Sequence, residues 1–247
     1  MRPPDRHFGA TAELDSLAGA DRFLGWISDA LLPHLGPRVL EVGAGVGSMA
    51  VRLAGAGHEV LAIEPADNVF PELVRRTVGV GGVTARQVTS QELLAEGTAG
   101  FDSVVYVSVL EHIEDDVTEL RTAHGLLRPG GTVAVFVPAM PSLYGSIDHK
   151  SGHFRRYDRR ALEAAVQAAG LELVHVSYMD ALGIAPYFVM YRVLRSDSLS
   201  SGVTRLYDRA LVPVSRFLEA RVGAPPRGKN LVAVARRPPA PSPRGAA

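Results

Sequence analysis

The sequence predicts an α/β fold, a three-layer sandwich with helices on both faces of a seven-stranded, mostly parallel sheet. Three observations predict it. Short apolar runs alternate with helical stretches of about 10 to 15 residues between Arg38 and Met179, the rhythm of right-handed βαβ units. Glycines cluster directly behind the first such run, at Gly43, Gly45 and Gly47, where a strand must turn into a helix. The chain has 247 residues, 47% hydrophobic and 21% charged, which is enough for one large core.

The elements follow in order. Residues 11–32, TAELDSLAGADRFLGWISDALL, have apolar residues at roughly helical spacing and stop at Pro33. RVLEV (38–42) is a short buried strand, SMAVRLAGAG (48–57) a helix ending in glycine, and HEVLAIE (58–64) a second strand. DNVFPELVRRTV (67–78) is helical from near Pro71, a residue that suits a first turn. VTARQV (83–88) and FDSVVYVSV (101–109) are strands. DDVTELRTAHGLL (115–127) is a helix, closed by Arg-Pro-Gly-Gly before the strand TVAVFVP (132–138). DRRALEAAVQAAG (158–170) has Asp158 as N-cap and Gly170 past its end, and LELVHVSYM (171–179) is a strand. Residues 180–224 break the rhythm, being apolar, aromatic and helical over 187–195 and 206–222. LVAVARR (231–237) is the last strand, and the proline-rich tail is expected to be disordered. The expected organisation is an N-terminal helical segment (1–37), a core (38–180), a helical lid or insertion (181–224), a last core strand (225–237) and a tail (238–247).

Composition narrows the function. Lys+Arg and Asp+Glu balance at 26 each, so there is no electrostatic case for a nucleic-acid partner. The absence of cysteine excludes disulfides, thiolate metal sites and a cysteine nucleophile. The N-terminus lacks an apolar signal core, and no stretch approaches the roughly 18 apolar residues of a membrane span, so a soluble cytoplasmic protein without stable membrane insertion is expected. Only Lys150 and Lys229 are lysines among the 26 basic residues; with abundant Ala and Gly this points to a GC-rich bacterial genome.

The glycine stretch RVLEVGAGVGSMA carries the chemistry. Dinucleotide folds use G-x-G-x-x-G with pyrophosphate on the helix N-terminus. Here the third glycine comes one position early, Ser48 fills the sixth slot, and Glu41 at the strand end would repel a pyrophosphate. A carboxylate there suits a ligand with a cationic, phosphate-free middle, which disfavours a nicotinamide oxidoreductase.

Glu41-Val-Gly-Ala-Gly-Val-Gly47 resembles the E/D-x-G-x-G-x-G motif of class I S-adenosylmethionine (SAM)-dependent methyltransferases. Further pieces fall in the family's order: Glu64-Pro65 at the second strand end, Ser90-Gln91 after the third, Phe101-Asp102 opening the fourth, Leu110-Glu111-His112 after it, and Leu127-Arg-Pro-Gly-Gly131 turning into the fifth. The resemblance covers residues 38 to about 180 and the final strand, which it implies to be antiparallel. It implies SAM held by Glu41, Gly43, Ala44, Gly45 and Gly47, with Glu64 and the adjoining Pro65 at the ribose and Ser90 and Gln91 at the adenine. The methionine ammonium would meet Glu41 through water or backbone carbonyls near Tyr106 and Val107. S-adenosylhomocysteine (SAH) would be the by-product.

The substrate is expected beyond the carboxyl ends of the strands. His112, His153 and Tyr157 are the catalytic candidates, and Tyr144, His149, Arg156 and Tyr187 the substrate-binding ones. Each has a plainer reading: a structural histidine under a loop, a solvated helix start at Arg155, Arg156, Arg159 and Arg160, or ordinary packing of the 180–224 segment. The arginines otherwise suggest a site for a substrate anion. No resident metal is expected. The minor reading is a metal-assisted O-methyltransferase like the ubiquinone and small-RNA methyltransferases, with Glu111, His112 and His153 as ligands; Ser108 stands where those families place a first glutamate. The leading expectation is methyl transfer to O or N, or to C, of a small molecule in bacterial secondary or lipid metabolism, by a monomer or homodimer. The alternative is a SAM-binding protein without methyl transfer, a cyclase scaffold or partner-binding module.

Overall fold

A computed structural model of the chain describes residues 7–9, 14, 19–196 and 201–239. Alternation of apolar runs and helices becomes a seven-stranded sheet of order β3-β2-β1-β4-β5-β7-β6. The strands are β1 (Arg38–Val42), β2 (Glu59–Ile63), β3 (Val83–Arg86), β4 (Phe101–Val107), β5 (Leu127–Pro138), β6 (Glu172–Met179) and β7 (Asn230–Arg236). Neighbours from β3 through β5 pair in parallel, and β7 runs antiparallel to both β5 and β6. The expected sheet, with its reversed last strand, is the one observed. Chain order turns back between β1 and β4, the kind of switch point that leaves a crevice at the strands' carboxyl ends.

The helices are α1 (Asp21–Leu31), α2 (Ser48–Gly55), α3 (Phe70–Thr77), α4 (Ser90–Ala95), α5 (Asp116–Leu126), α6 (Ser146–Lys150), α7 (Arg159–Ala168), α8 (Ile184–Tyr187), α9 (Ser201–Leu206) and α10 (Val212–Val222). Successive strand residues point to opposite faces. Leu40 and Val104 therefore join a core with Leu120, Leu162 and Val166, while Val39 and Val105 join one with Phe23, Ile27, Leu53 and Phe136.

Local chemistry sets the ends. Asp158 accepts from the Ala161 N–H at 2.8 Å, the cap expected of it. Sequence reasoning passed over α4, six residues long, although Thr89 and Glu92 close a reciprocal capping box around its start. The strand expected at 132–138 begins at Leu127, which pairs with Phe101, and beyond it the Gly130 N–H donates to the Arg237 carbonyl at 3.0 Å and the Arg237 N–H to the Gly131 carbonyl at 2.8 Å. The 180–224 segment is helical over 184–193 and 201–222, with π-helical stretches at Phe188–Val193 and Tyr207–Leu211. Much of the helix expected from residue 11, and the tail beyond residue 239, lie outside the described residues. Among those described, no helix is long and apolar enough to cross a membrane.

Candidate active site

The glycine loop joins β1 to α2 at the crevice. Gly45 has φ +55°, and a Cβ there would stand 3.0 Å from Leu14. Its N–H donates to Glu64 Oε2 at 3.0 Å, while the Ala66 N–H donates to Oε1 at 2.9 Å. Glu64 thus clamps the loops behind β1 and β2 together. Gly47, with φ +85°, packs α2 onto α3, since a Cβ would come within 2.8 Å of Leu73.

A cavity of about 270 Å³ opens beside this loop. Glu41, Gly43, Ala44 and Gly45 form one end, and Phe8 and Leu14 cover it. The Phe8 backbone is held by both ends of the Asn68 side-chain amide, each at 2.9 Å. Glu41 is 3% exposed, and its Oε2 has no hydrogen-bond partner among the described residues. Burial, reinforced by the charge of Glu64, pushes its carboxyl up to about 8. A buried acceptor of this kind in a cavity wall is shaped for a cation; the donor set fits the ammonium end of SAM.

The cavity lining also holds Glu111 and His112, on a tight turn after β4, and His153, on the loop after α6. One ligand atom from each lies within 4.8 Å of the others. The Phe154 N–H donates to the Glu111 carbonyl at 2.7 Å and fixes the two loops together. The His112 and His153 rings meet edge to face, 4.6 Å between centroids. Burial and then His153 drive the His112 pKa down to about 3, against a backbone hydrogen bond at Ser151, so its imidazole is neutral at physiological pH. His153 Nδ1 lies 2.9 Å from Asp148 Oδ1. Asp148 is fully buried. Burial raises its pKa, but His153, Arg156 and the Gly145 N–H together hold it below the usual carboxylate range. An ionised Asp148 can only accept, so His153 donates to it through Nδ1.

Residues 19–176 match the profile of a methyltransferase domain family. The chain belongs to that family. An uncharacterized methyltransferase of Mycobacterium tuberculosis is 38% identical over 122 residues, 49% of this chain and 60% of that one. A ubiquinone biosynthesis O-methyltransferase of Paracidovorax citrulli is 36% identical over 112 residues, 44% of this chain and 47% of that one. The matched part spans about half the length of these relatives. Among solved structures, the fold is similar to 1,6-didemethyltoxoflavin-N1-methyltransferase of Burkholderia thailandensis with bound 1,6-didemethyltoxoflavin and SAH (TM-score 0.56, 22% identity, 89% of this chain and 78% of that one). It is also similar to the [4+2]-cyclase SpnF (TM-score 0.61, 19% identity, 89% of this chain and 81% of that one).

In this chain the cavity gathers Glu41, Gly43, Ala44, Gly45, Val107, His112, His153, Arg156 and Tyr187 from the sequence-expected set. Other members of that set sit elsewhere. Ser90 Oγ and Gln91 Nε2 both donate to Glu119 Oε2, and Tyr106 OH donates to Oε1 at 2.8 Å. The Ser90 and Gln91 side chains therefore anchor α4 to α5 rather than lining the cavity. Tyr157 is buried outside the cavity lining, with its hydroxyl 2.7 Å from Asp116 and 3.3 Å from the Leu110 carbonyl; burial and then Asp116 push its pKa up. Tyr144 donates to the His153 carbonyl at 2.5 Å and packs against His149, which is exposed; both stand outside the cavity wall.

Arg156 faces the cavity with each of its three nitrogens engaged by protein acceptors. Its Nε donates to the Ala139 carbonyl at 2.7 Å, Nη1 to Asp148 at 3.0 Å and Nη2 to the Lys229 carbonyl at 3.1 Å. The expected arginine anion site is not assembled, since Arg155 pairs with Asp116 and Arg159 and Arg160 are exposed.

Sequence reasoning missed Lys229 and Asn230, on the cavity floor beside β5. Lys229 Nζ lies 3.0 Å from Asp180 and 3.1 Å from Tyr207 OH. Asn230 is 6% exposed, and its Nδ2 has no hydrogen-bond partner among the described residues. The scarcity of lysine was the signal available for Lys229.

Proposed function

We propose that the protein transfers a methyl group from SAM to an oxygen of a small, partly apolar molecule bound beneath the 184–222 helices. One observation carries this reading: the Glu41–glycine cradle and the His112–His153 pair line the same cavity. The names of the oxygen-methylating relatives support oxygen over nitrogen.

Bound SAM supplies an activated methyl on a sulfonium. Glu41 would hold its ammonium. Glu64 already accepts two backbone N–H groups, yet each carboxylate oxygen keeps a lone pair for a ribose hydroxyl. His153, oriented by Asp148, takes the proton of the acceptor hydroxyl at Nε2, and neutral His112 stands beside it. Asn230 Nδ2 offers a donor to a second substrate oxygen, and Phe8 and Leu14 keep water from the cofactor end.

A second reading rests on the Glu111–His112–His153 cluster. One carboxylate and two imidazoles suit a divalent transition metal, and Asp148 behind His153 is the usual outer partner of a ligating histidine. A cation there would lower the pKa of a substrate hydroxyl.

Incubation with SAM and a panel of phenolic, enolic and amine acceptors, with SAH as readout, tests the proposal. SAH formed with hydroxylated acceptors supports it, and abolition by chelator selects the metal reading. SAM binding with no SAH from any acceptor would favour a scaffold role instead.

A further inference from the structure

We propose that the outer face of the 184–222 helices docks on an anionic phospholipid bilayer. The helices are amphipathic in the wrong sense for a protein interior. On α10, Val214, Phe217, Leu218 and Val222 recur at i, i+3, i+4 and i+8 and all face solvent, Phe217 at 57% and Val222 at 86% exposure. The same helix turns Ser215 and Glu219 inward, where Glu219 accepts from the Ala181 N–H at 3.0 Å. Leu206 on α9 is 67% exposed, and Phe188, Val189, Val193 and Leu194 are exposed as well. Large apolar side chains clustered on one exposed helix face mark an interaction site.

Charge selects the partner. The whole chain balances, but residues 181–224 hold six arginines against three acids. Asp208 and Glu219 are spent on backbone N–H groups of Phe23 and Ala181. Arg192, Arg195, Arg209 and Arg221 are exposed alongside the apolar residues. A second copy packed face to face would set arginines against arginines. A bilayer with anionic headgroups accepts both parts, apolar side chains at the acyl boundary and guanidinium groups at the phosphates. Val203 belongs both to this face and to the cavity wall, so the surface runs up to the site's mouth.

The test is co-sedimentation of the full chain with vesicles of phosphatidylglycerol and phosphatidylcholine, against phosphatidylcholine alone. The expected result is at least about tenfold stronger partitioning onto anionic vesicles, weakening with salt. Leu206→Glu with Phe217→Glu should abolish it while SAM still binds. Arg209→Gln with Arg221→Gln, which leaves the apolar surface intact, should remove the preference for anionic lipid and decides the matter should the first variant misfold. Equal, weak sedimentation with both vesicle types overturns the proposal. So does a concentration-dependent dimer, seen by sedimentation velocity, that the Leu206/Phe217 variant dissolves.

Discussion

Glu41→Gln should flatten a pH dependence that the wild-type protein shows in SAM binding. With its pKa at about 8 in the unliganded protein, the Glu41 carboxyl must lose a proton before it can pair with an ammonium. Protonated exceeds ionised by about 100 to 1 at pH ~6 and by about 3 to 1 at pH ~7.5, so affinity should rise about 25-fold, or about 2 kcal/mol, over that interval. Titration calorimetry in buffers of different ionisation enthalpy should also register close to one proton released per SAM bound at the lower pH. Glutamine has no proton to lose, so the variant should bind weakly and evenly across the range. Stability of the unliganded protein moves the other way. A carboxyl raised by folding contributes stability that is lost as pH climbs from the ordinary carboxylate range to about 8, so Glu41→Gln should melt higher than wild type at pH ~8 and alike at pH ~4. Parallel affinity profiles in the two proteins, or no proton release, would refute the assignment of Glu41 to the cofactor's cation.

Other perturbations separate the parts of the site. Glu64→Ala should weaken SAM binding by about 1–3 kcal/mol; an unchanged dissociation constant would remove Glu64 from the ribose. His153→Ala should lower kcat by about 10²- to 10⁴-fold with SAM affinity nearly intact, and a comparable loss of SAM binding would mean that the ring only supports the loop. Asp148→Asn leaves buried Arg156 without its counter-charge and should cost about 3–5 kcal/mol in urea unfolding; a loss below about 1 kcal/mol would contradict the buried network. Asn230→Ala should raise the acceptor's KM and spare SAM affinity, whereas an unaltered KM would deny it a substrate contact.

Much of the frame was legible because strand alternation and glycine placement are local signals. β1 was placed at its observed ends, Arg38 and Val42, since Pro37 and Gly43 bracket the short, largely apolar run RVLEV. The reversed last strand came from resemblance, for nothing in LVAVARR encodes direction. The site was legible where backbone chemistry demanded a residue type, as at Gly45. It was not legible where a polar side chain had a choice of partners. The Ser90 and Gln91 side chains are individually plausible cofactor contacts, but buried Glu119, 28 to 29 residues away, recruits both, together with the Tyr106 hydroxyl. Arg156 was read as a charge on offer, whereas Asp148 and two carbonyls converge on it only after folding. Lys229 and Asn230 reach the cavity through the late pairing of β7 between β5 and β6, a contact of long sequence separation that no local pattern announces.

Calorimetric titration of the purified protein with SAM and, separately, SAH tests the central claim most directly. Saturable binding of both in the micromolar range, weakened in both Glu41→Gln and Glu64→Ala, is the expected result. Absence of binding by either ligand to the folded protein would contradict it.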